Sequence, residues 1–187
     1  MKTALWLFVV QGALGAFDTL YYHEWRARLP GGTPGTRPEL RLHAYRDFIY
    51  AWLFGTLPFF RYEGAGAWLL LALLATEIVI TLRDFVVEQT VRKPLGGVDS
   101  GERVTHAVMG ILFGAVLAYL VPELLRASTL PTAISRYPKS DATSVQAWVL
   151  AAMAVGVLVS GVRDLGASFG IKWMQYPWRN WYNGTTS

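Results

Sequence analysis

Gly66–Leu82 reads GAWLLLALLATEIVITL and runs directly into Arg83-Asp84-Phe85-Val86-Val87-Glu88. The first part is apolar except for Glu77, and it contains no proline and no internal break. A helix needs about 20 mostly apolar residues to cross the hydrocarbon layer. This stretch with its flanks meets that length. Its one internal carboxylate is costly at membrane depth and must face protein rather than lipid. Glu77, Asp84 and Glu88 are spaced seven and four apart, so one face of the helix carries all three.

Four further stretches have the same character: Ala4–Tyr22, Ala44–Phe60, Ala107–Val121 and Val145–Val162. The expectation is an all-α polytopic membrane protein with five transmembrane helices. Composition agrees: 53% of the 187 residues are hydrophobic, 16% are charged, and the mean hydropathy is +0.31. Cysteine is absent, which excludes disulfides, thiolate metal sites and iron–sulfur clusters. The net charge of +4 comes from residues flanking the apolar stretches and does not point to nucleic acid. No P-loop, dinucleotide fingerprint or hydrolase triad pattern is present. The first stretch is too long for a signal sequence and contains Asp18, so it reads as a retained helix.

Gly31–Pro38 and Pro94–Ser100 read as loops, Arg61–Gly64 as a short turn, and Ser128–Thr143 as a longer polar connection. Arg37-Pro38-Glu39 starts the second helix with proline and an acid in the first turn. Arg26, Arg28, Arg37, Arg41, Arg92 and Lys93 lie at one end of the helices, joined by Arg163, Lys172 and Arg179 from the C-terminal part. Fewer basic residues, among them Arg61, Arg126, Arg136 and Lys139, lie at the other. The bias predicts a bacterial-type inner-membrane protein with its N-terminus outside and its C-terminus cytoplasmic. The Asn183-Gly-Thr sequon is then unused. The aromatic tail, with Trp173, Tyr176, Trp178, Trp181 and Tyr182, reads as an anchor in the headgroup layer or as a docking surface for a partner membrane subunit.

The first two helices resemble the next two. Glu39 and His43 match Glu102 and His106 at an offset of 63. Gln11 and Asp18 match Glu77 and Asp84 at 66, and Glu24, Arg28 and Pro30 match Glu88, Arg92 and Pro94 at 64. The expected organisation is a four-helix bundle over residues 1–126, made of pseudo-repeated hairpins at about 4–60 and 66–126. Residues 127–187 add a polar connection, a fifth helix and the tail.

The repeat gathers acids and imidazoles at one end of the bundle. Glu39/His43 and Glu102/His106 are i, i+4 pairs on one helix face, and Asp47 extends the first by another turn. Asp18 and Glu24 come from the first helix. His23, beside Trp25, reads as a solvated residue at the water edge. Glu77 lies about 16 Å below Glu88 along its helix and is expected to hydrogen-bond Gln11 or to relay protons. The competing reading is a structural ion-pair network in which the acids are paired with arginines.

In helix order and ligand type the pattern resembles the ferritin-like di-iron and di-manganese carboxylate bundles, which use a Glu from two helices and a Glu-x-x-His pair from the other two. The spacing here is Glu-x-x-x-His instead. The resemblance implies that Asp18 or Glu24, Glu39, His43, Asp84 or Glu88, Glu102 and His106 hold two iron or manganese ions, one histidine per metal. Asp47, Glu77, Arg46 and Arg103 would orient ligands or carry protons, with Arg41 and Arg83 as further flanking cations. The function implied is a membrane oxidoreductase that uses oxygen on a lipid-like apolar substrate. Glycines at Gly12, Gly15, Gly110 and Gly114 allow close packing or a lipid-sized cleft. Two alternatives remain at this stage. One is a non-enzymatic subunit binding haem or chlorophyll through His43 and His106; the other is a proton or metal-ion transporter.

Overall fold

The computed structural model describes residues 1–31, 34–138 and 144–178. Lys139, Arg179, Trp181, Tyr182 and the Asn183 sequon lie outside the described residues. The fold is helical, as its composition requires. α1 spans Lys2–Phe17 and continues without a break into a π-helical segment, Asp18–Arg26. α2 is Arg37–Thr56, α3 Ala65–Val91, α4 Ser100–Ala127 and α5 Val145–Ser168. α3 and α4 extend well beyond their apolar stretches, and these polar extensions carry Asp84, Glu88, Glu102 and His106.

Among the described residues four helices are long and apolar enough to cross a membrane: Lys2–Arg26, Ala65–Val91, Ser100–Ala127 and Val145–Ser168. α2 stands apart because Arg37, Glu39, Arg41, Arg46 and Asp47 occupy its first half. The helices close into a ring in which each touches two main neighbours. The order around it is α1, α4, α3, α2, α5 and back to α1.

The residues sort as they would in a lipid surround. Val79, Val86, Val104, Ile111, Val155 and Val159 point outward and are exposed. Gln11, Asp18, Glu77, Asp84, Glu88 and Glu102 on the same and adjoining helices point inward and are buried. Lipid tails solvate valine as well as a protein interior does, but they offer nothing to a carboxylate. One half of the interior is therefore polar. The other half is filled by Leu5, Phe8, Leu53, Leu57, Leu74 and Leu120 with their neighbours.

The turn expected at Arg61–Gly64 is a strand. β1, Phe60–Glu63, pairs antiparallel with β2, Ala133–Arg136, which lies inside the polar connection. Each strand is only four residues long, too short for a period-two pattern to show in the sequence. Gly64 permits the junction. Its φ is +56°, and a Cβ there would lie 2.6 Å from the Thr132 Cα.

α5 packs along α2 more extensively than any other pair of helices does. Gly161 lets them meet, since a Cβ at that position would lie 2.9 Å from the Asp47 Cβ and 3.3 Å from the Ala44 carbonyl oxygen. The chain beyond α5 folds back over the polar end. Trp178 packs on Gly31, lies under Arg28 at 5.0 Å and donates its indole N–H to Glu24 at 2.9 Å.

Candidate metal centre

The π segment decides what α1 contributes. In an α-helix residues five apart lie about 140° around the axis from each other. A π turn closes i to i+5 hydrogen bonds, so residues five apart share a face. Asp18 and His23 are five apart, and both turn inward. The solvated position expected for His23 is therefore wrong: it is buried, at 8% exposure. Its Nε2 lies 3.3 Å from both Asp18 Oδ2 and Glu102 Oε1. Its ring stacks on His43 with centroids 4.4 Å apart and planes within 8°.

Two groups that could each hold a metal ion lie side by side. The first is Asp18, His23 and His106, where His106 Nε2 lies 3.2 Å from Asp18 Oδ2. Glu88 stands 3.7 Å from the other nitrogen of His106, and Phe85 covers that ring. The second is Glu39, His43 and Asp84. His43 Nε2 lies 3.3 Å from Asp84 Oδ2 and 3.8 Å from Glu39 Oε1. Two donors about 2.1 Å from one ion lie at most about 4.2 Å apart. The four imidazole–carboxylate separations within the two groups, 3.2 to 3.8 Å, all fall inside that limit.

Hydrogen bonding leaves part of this cluster unsatisfied. Asp18 Oδ1, Asp84 Oδ1, His23 Nε2 and His106 Nδ1 are buried without a hydrogen-bond partner. Buried polar atoms without a partner are costly, and each needs a reason. Charge gives the same message. Asp18, Glu39, Asp84, Glu88 and Glu102 are all buried, against two guanidinium groups, Arg46 and Arg92. Five carboxylates less two cations leave three negative charges to be offset by protons or metal ions. Imidazole and carboxylate donors suit iron, manganese or zinc.

The cations are not those expected. Arg46 does reach the site, 3.3 Å from Asp84. Arg103 and Arg83 are exposed, and Arg41 lies over the Phe169 ring. The principal cation is Arg92, which is 1% exposed. Its Nε donates to both oxygens of Glu39 at 2.8 and 3.0 Å, and Nη2 donates to Glu102 at 3.0 Å. It thus clamps the glutamates of both Glu-x-x-x-His pairs. Burial works against the Arg92 charge, but Glu39 and then Glu102 outweigh it and hold the guanidinium above its ordinary value. In sequence it looked like one of two loop cations before Pro94.

Other expected residues fall elsewhere. Glu24 pairs with Arg163 and Trp178, outside both ligand groups. Asp47 hydrogen-bonds Ser160. Glu77 reaches Gln11 only through Tyr50: Gln11 donates to the phenol at 3.4 Å, and the phenol donates to Glu77 at 3.1 Å. Thr81 also donates to Glu77, at 2.9 Å. One residue of the fifth helix joins the site. Asp164 of α5 is buried, with Oδ2 4.0 Å from His43 Nδ1, on the ring edge opposite Asp84. An acid behind a ligating imidazole fixes its orientation. A lone aspartate near the end of an apolar helix was the only sign of it in the sequence.

Two clefts run from this cluster toward the apolar half. One, of about 300 Å³, lies between α1, α2 and α5 and reaches Asp18, His23 and His43. The other, of about 290 Å³, lies between α3 and α4 and reaches His106 and Glu77. Gly15 and Gly156 line the first, Gly110 and Gly114 the second, and a Cβ at any of the four would meet nothing within 4 Å. These glycines keep space open; they do not bring helices together.

Comparison with protein-family models, with characterised proteins and with solved structures finds no match for this chain. The functional reading rests on the geometry alone.

Proposed function

We propose that this chain is an integral membrane oxidoreductase with a dinuclear metal centre, most simply iron, acting on a lipid-like apolar molecule. One observation carries the reading. Three buried imidazoles converge with five buried carboxylates, four of their polar atoms lack hydrogen-bond partners, and the cluster opens into apolar clefts. Asp18, His23 and His106 would hold one ion; Glu39, His43 and Asp84 the other. Glu88 and Glu102 stand within reach of the first. Bound there, the metals would supply oxygen activation.

The chain's own residues do the rest. Arg92 restrains Glu39 and Glu102, so the glutamates are held before a metal arrives. Arg46 holds Asp84 from behind at 3.3 Å, and Asp164 sets a carboxylate 4.0 Å behind His43. Glu77, which accepts from Tyr50 and Thr81 and lies 3.8 Å from Arg46, would be the proton-carrying group beneath the cluster. Hydroxylation places one oxygen atom of dioxygen in a C–H bond. The other leaves as water, using two electrons and two protons from an external reductant.

In this reading α2 crosses the bilayer as a fifth span with its charged half inside the ring. The cluster lies at the cytoplasmic face of a bacterial-type inner membrane, and the exposed Trp173 and Tyr176 sit in the headgroup layer. The ring order, in which α1 meets α4 as α3 meets α2, is what two hairpins related by a twofold axis give, with α5 inserted between α1 and α2. A porphyrin gains no support, because Nε2 of His43 and of His106 each face a carboxylate at 3.2 to 3.3 Å. A transport path gains none from a lower half packed with Leu53, Leu57, Leu70 and Leu120.

One observation favours a second reading: Arg92 joins Glu39 to Glu102 as a structural ion-pair network would. The test is to supply iron-loaded protein with dioxygen, a reductant and a bacterial lipid extract, and to follow products by mass spectrometry. A lipid that gains one oxygen atom or loses two hydrogen atoms, with matching oxygen uptake, supports the oxidoreductase. Metal-loaded protein that consumes no oxygen with any lipid fraction overturns it.

A further inference from the structure

The geometry points to the α1–α2–α5 cleft as the binding site for a single alkyl chain with an uncharged or cationic polar end, admitted sideways from the bilayer. This rests on the lipid-directed reading above and names its substrate class. The cleft has an open side. Ala16, Leu20 and Gly156 on its rim are exposed on the lipid-facing surface between α1 and α5. It also has a closed end. At Gly12 a Cβ would already lie 2.9 Å from Met153 Sδ and 3.0 Å from the Phe54 ring, so the helices meet there. Between the two, the walls are Gly15, Phe54, Met109, Met153 and Val157, which suit methylene groups and little else. The α5 wall from Met153 to Asp164 is about 16 Å long.

Of the two clefts, this one touches both ligand groups, through Asp18 and His23 and through His43. The α3–α4 cleft meets only His106. The polar end of the α1–α2–α5 cleft sets the headgroup. Asp47, hydrogen-bonded to Ser160, the buried Asp164 and Arg46 line it; the Arg46 guanidinium is already engaged by Asp84 at 3.3 Å and Glu77 at 3.8 Å, and the excess negative charge of the cluster lies just beyond. A hydroxyl or an ammonium group finds acceptors there. A carboxylate or phosphate meets like charge in a poorly solvated place, which is strongly unfavourable.

The experiment uses the full chain in phosphatidylcholine nanodiscs and decanol carrying a photoreactive diazirine at its far end. Cross-links mapped by mass spectrometry are expected on residues 12–20 and 153–160. Gly156→Leu adds bulk to the cleft wall from a position where a Cβ meets nothing within 4 Å, and it should cut labelling about tenfold or more. Gly114→Leu, in the other cleft, should leave it unchanged. Unlabelled decanol and decylamine should compete, and decanoate should compete about tenfold or more weakly. Labelling spread over the lipid-facing surface, labelling unmoved by Gly156→Leu, or decanoate equal to decanol overturns the proposal. Metal content, measured on the same samples, separates the two claims. Metal-loaded protein that does not label refutes the alkyl site alone. Wild type that takes up no metal under any loading condition yet labels in this cleft refutes the oxidoreductase and leaves the site.

Discussion

Arg92→Met removes the cation that joins the two halves of the cluster while keeping an apolar stem of similar length. Arg92 makes three hydrogen bonds to Glu39 and Glu102, at 2.8, 3.0 and 3.0 Å, and all three residues are at most 2% exposed. Breaking a buried pair by deleting one partner costs about 3–5 kcal/mol, because the remaining charge stays buried. Here two carboxylates are stranded, in a site whose negative excess rises from three to four. For a chain of this length that corresponds to a fall in melting temperature of about 10 °C in the metal-free protein. Metal should reverse the effect. An ion at a hundred times its dissociation constant stabilises the folded state by about 2.7 kcal/mol, and the freed glutamates should bind it more tightly than in wild type. Thermal unfolding in one detergent, with and without iron or manganese, measures both quantities. The expected result is a large loss in the metal-free variant and a larger metal-induced rise than in wild type. A metal-free variant as stable as wild type refutes the clamp. A variant that falls but gains nothing from metal refutes the metal centre and leaves an ion-pair network.

Three other perturbations test the supporting structure. Gly161→Ala places a methyl group 2.9 Å from the Asp47 Cβ; it should cost about 1–3 kcal/mol of stability by overpacking the α2–α5 contact, read by thermal unfolding. Asp164→Asn keeps the size of the group behind His43 but weakens its hold on the imidazole. Metal affinity should fall about 10–100-fold with little change in metal-free stability, as equilibrium metal titration would show. Asp99 caps α4 by accepting from the Gly101 N–H at 2.8 Å and also pairs with Arg26, and these two contacts hold its carboxyl below the ordinary value of 3.8. A group whose folded value is depressed adds stability above the unfolded value and loses it as pH falls through the folded one. Asp99→Asn should therefore be less stable than wild type above about pH 4 and converge with it as pH falls further; a difference that persists undiminished in acid would show that the contact acts otherwise.

The helical class and the end of the bundle that gathers its acids were legible because both follow from simple periodicities. Apolar runs of spanning length identify helices, and i, i+4 spacing places Glu39 with His43 and Glu102 with His106. His23 was not legible, since its inward turn depends on a π segment that no residue in Asp18–Arg26 announces; helical periodicity sent it to the water edge. Arg92 was hidden by its setting beside Lys93 and Pro94, where a solvated loop cation is the ordinary reading. Asp164 and the β1–β2 ribbon depend on contacts between distant parts of the chain, which one sequence does not display. Glu24 shows the reverse error. Glu88, matched to it at an offset of 64, faces His106, but the π segment and α5 turn Glu24 toward Arg163 and Trp178.

The central claim is that three imidazoles, not two, hold metal in one shared cluster. Elemental analysis of purified wild type and of His23→Ala, His43→Ala and His106→Ala tests it most directly. The account predicts about two iron or manganese ions per wild-type chain. It also predicts a loss of about one ion or more in each variant, His23→Ala included, with the helical circular-dichroism signal preserved. Wild type that takes up no metal under any loading condition, or a His23→Ala protein with its full metal content, would contradict it.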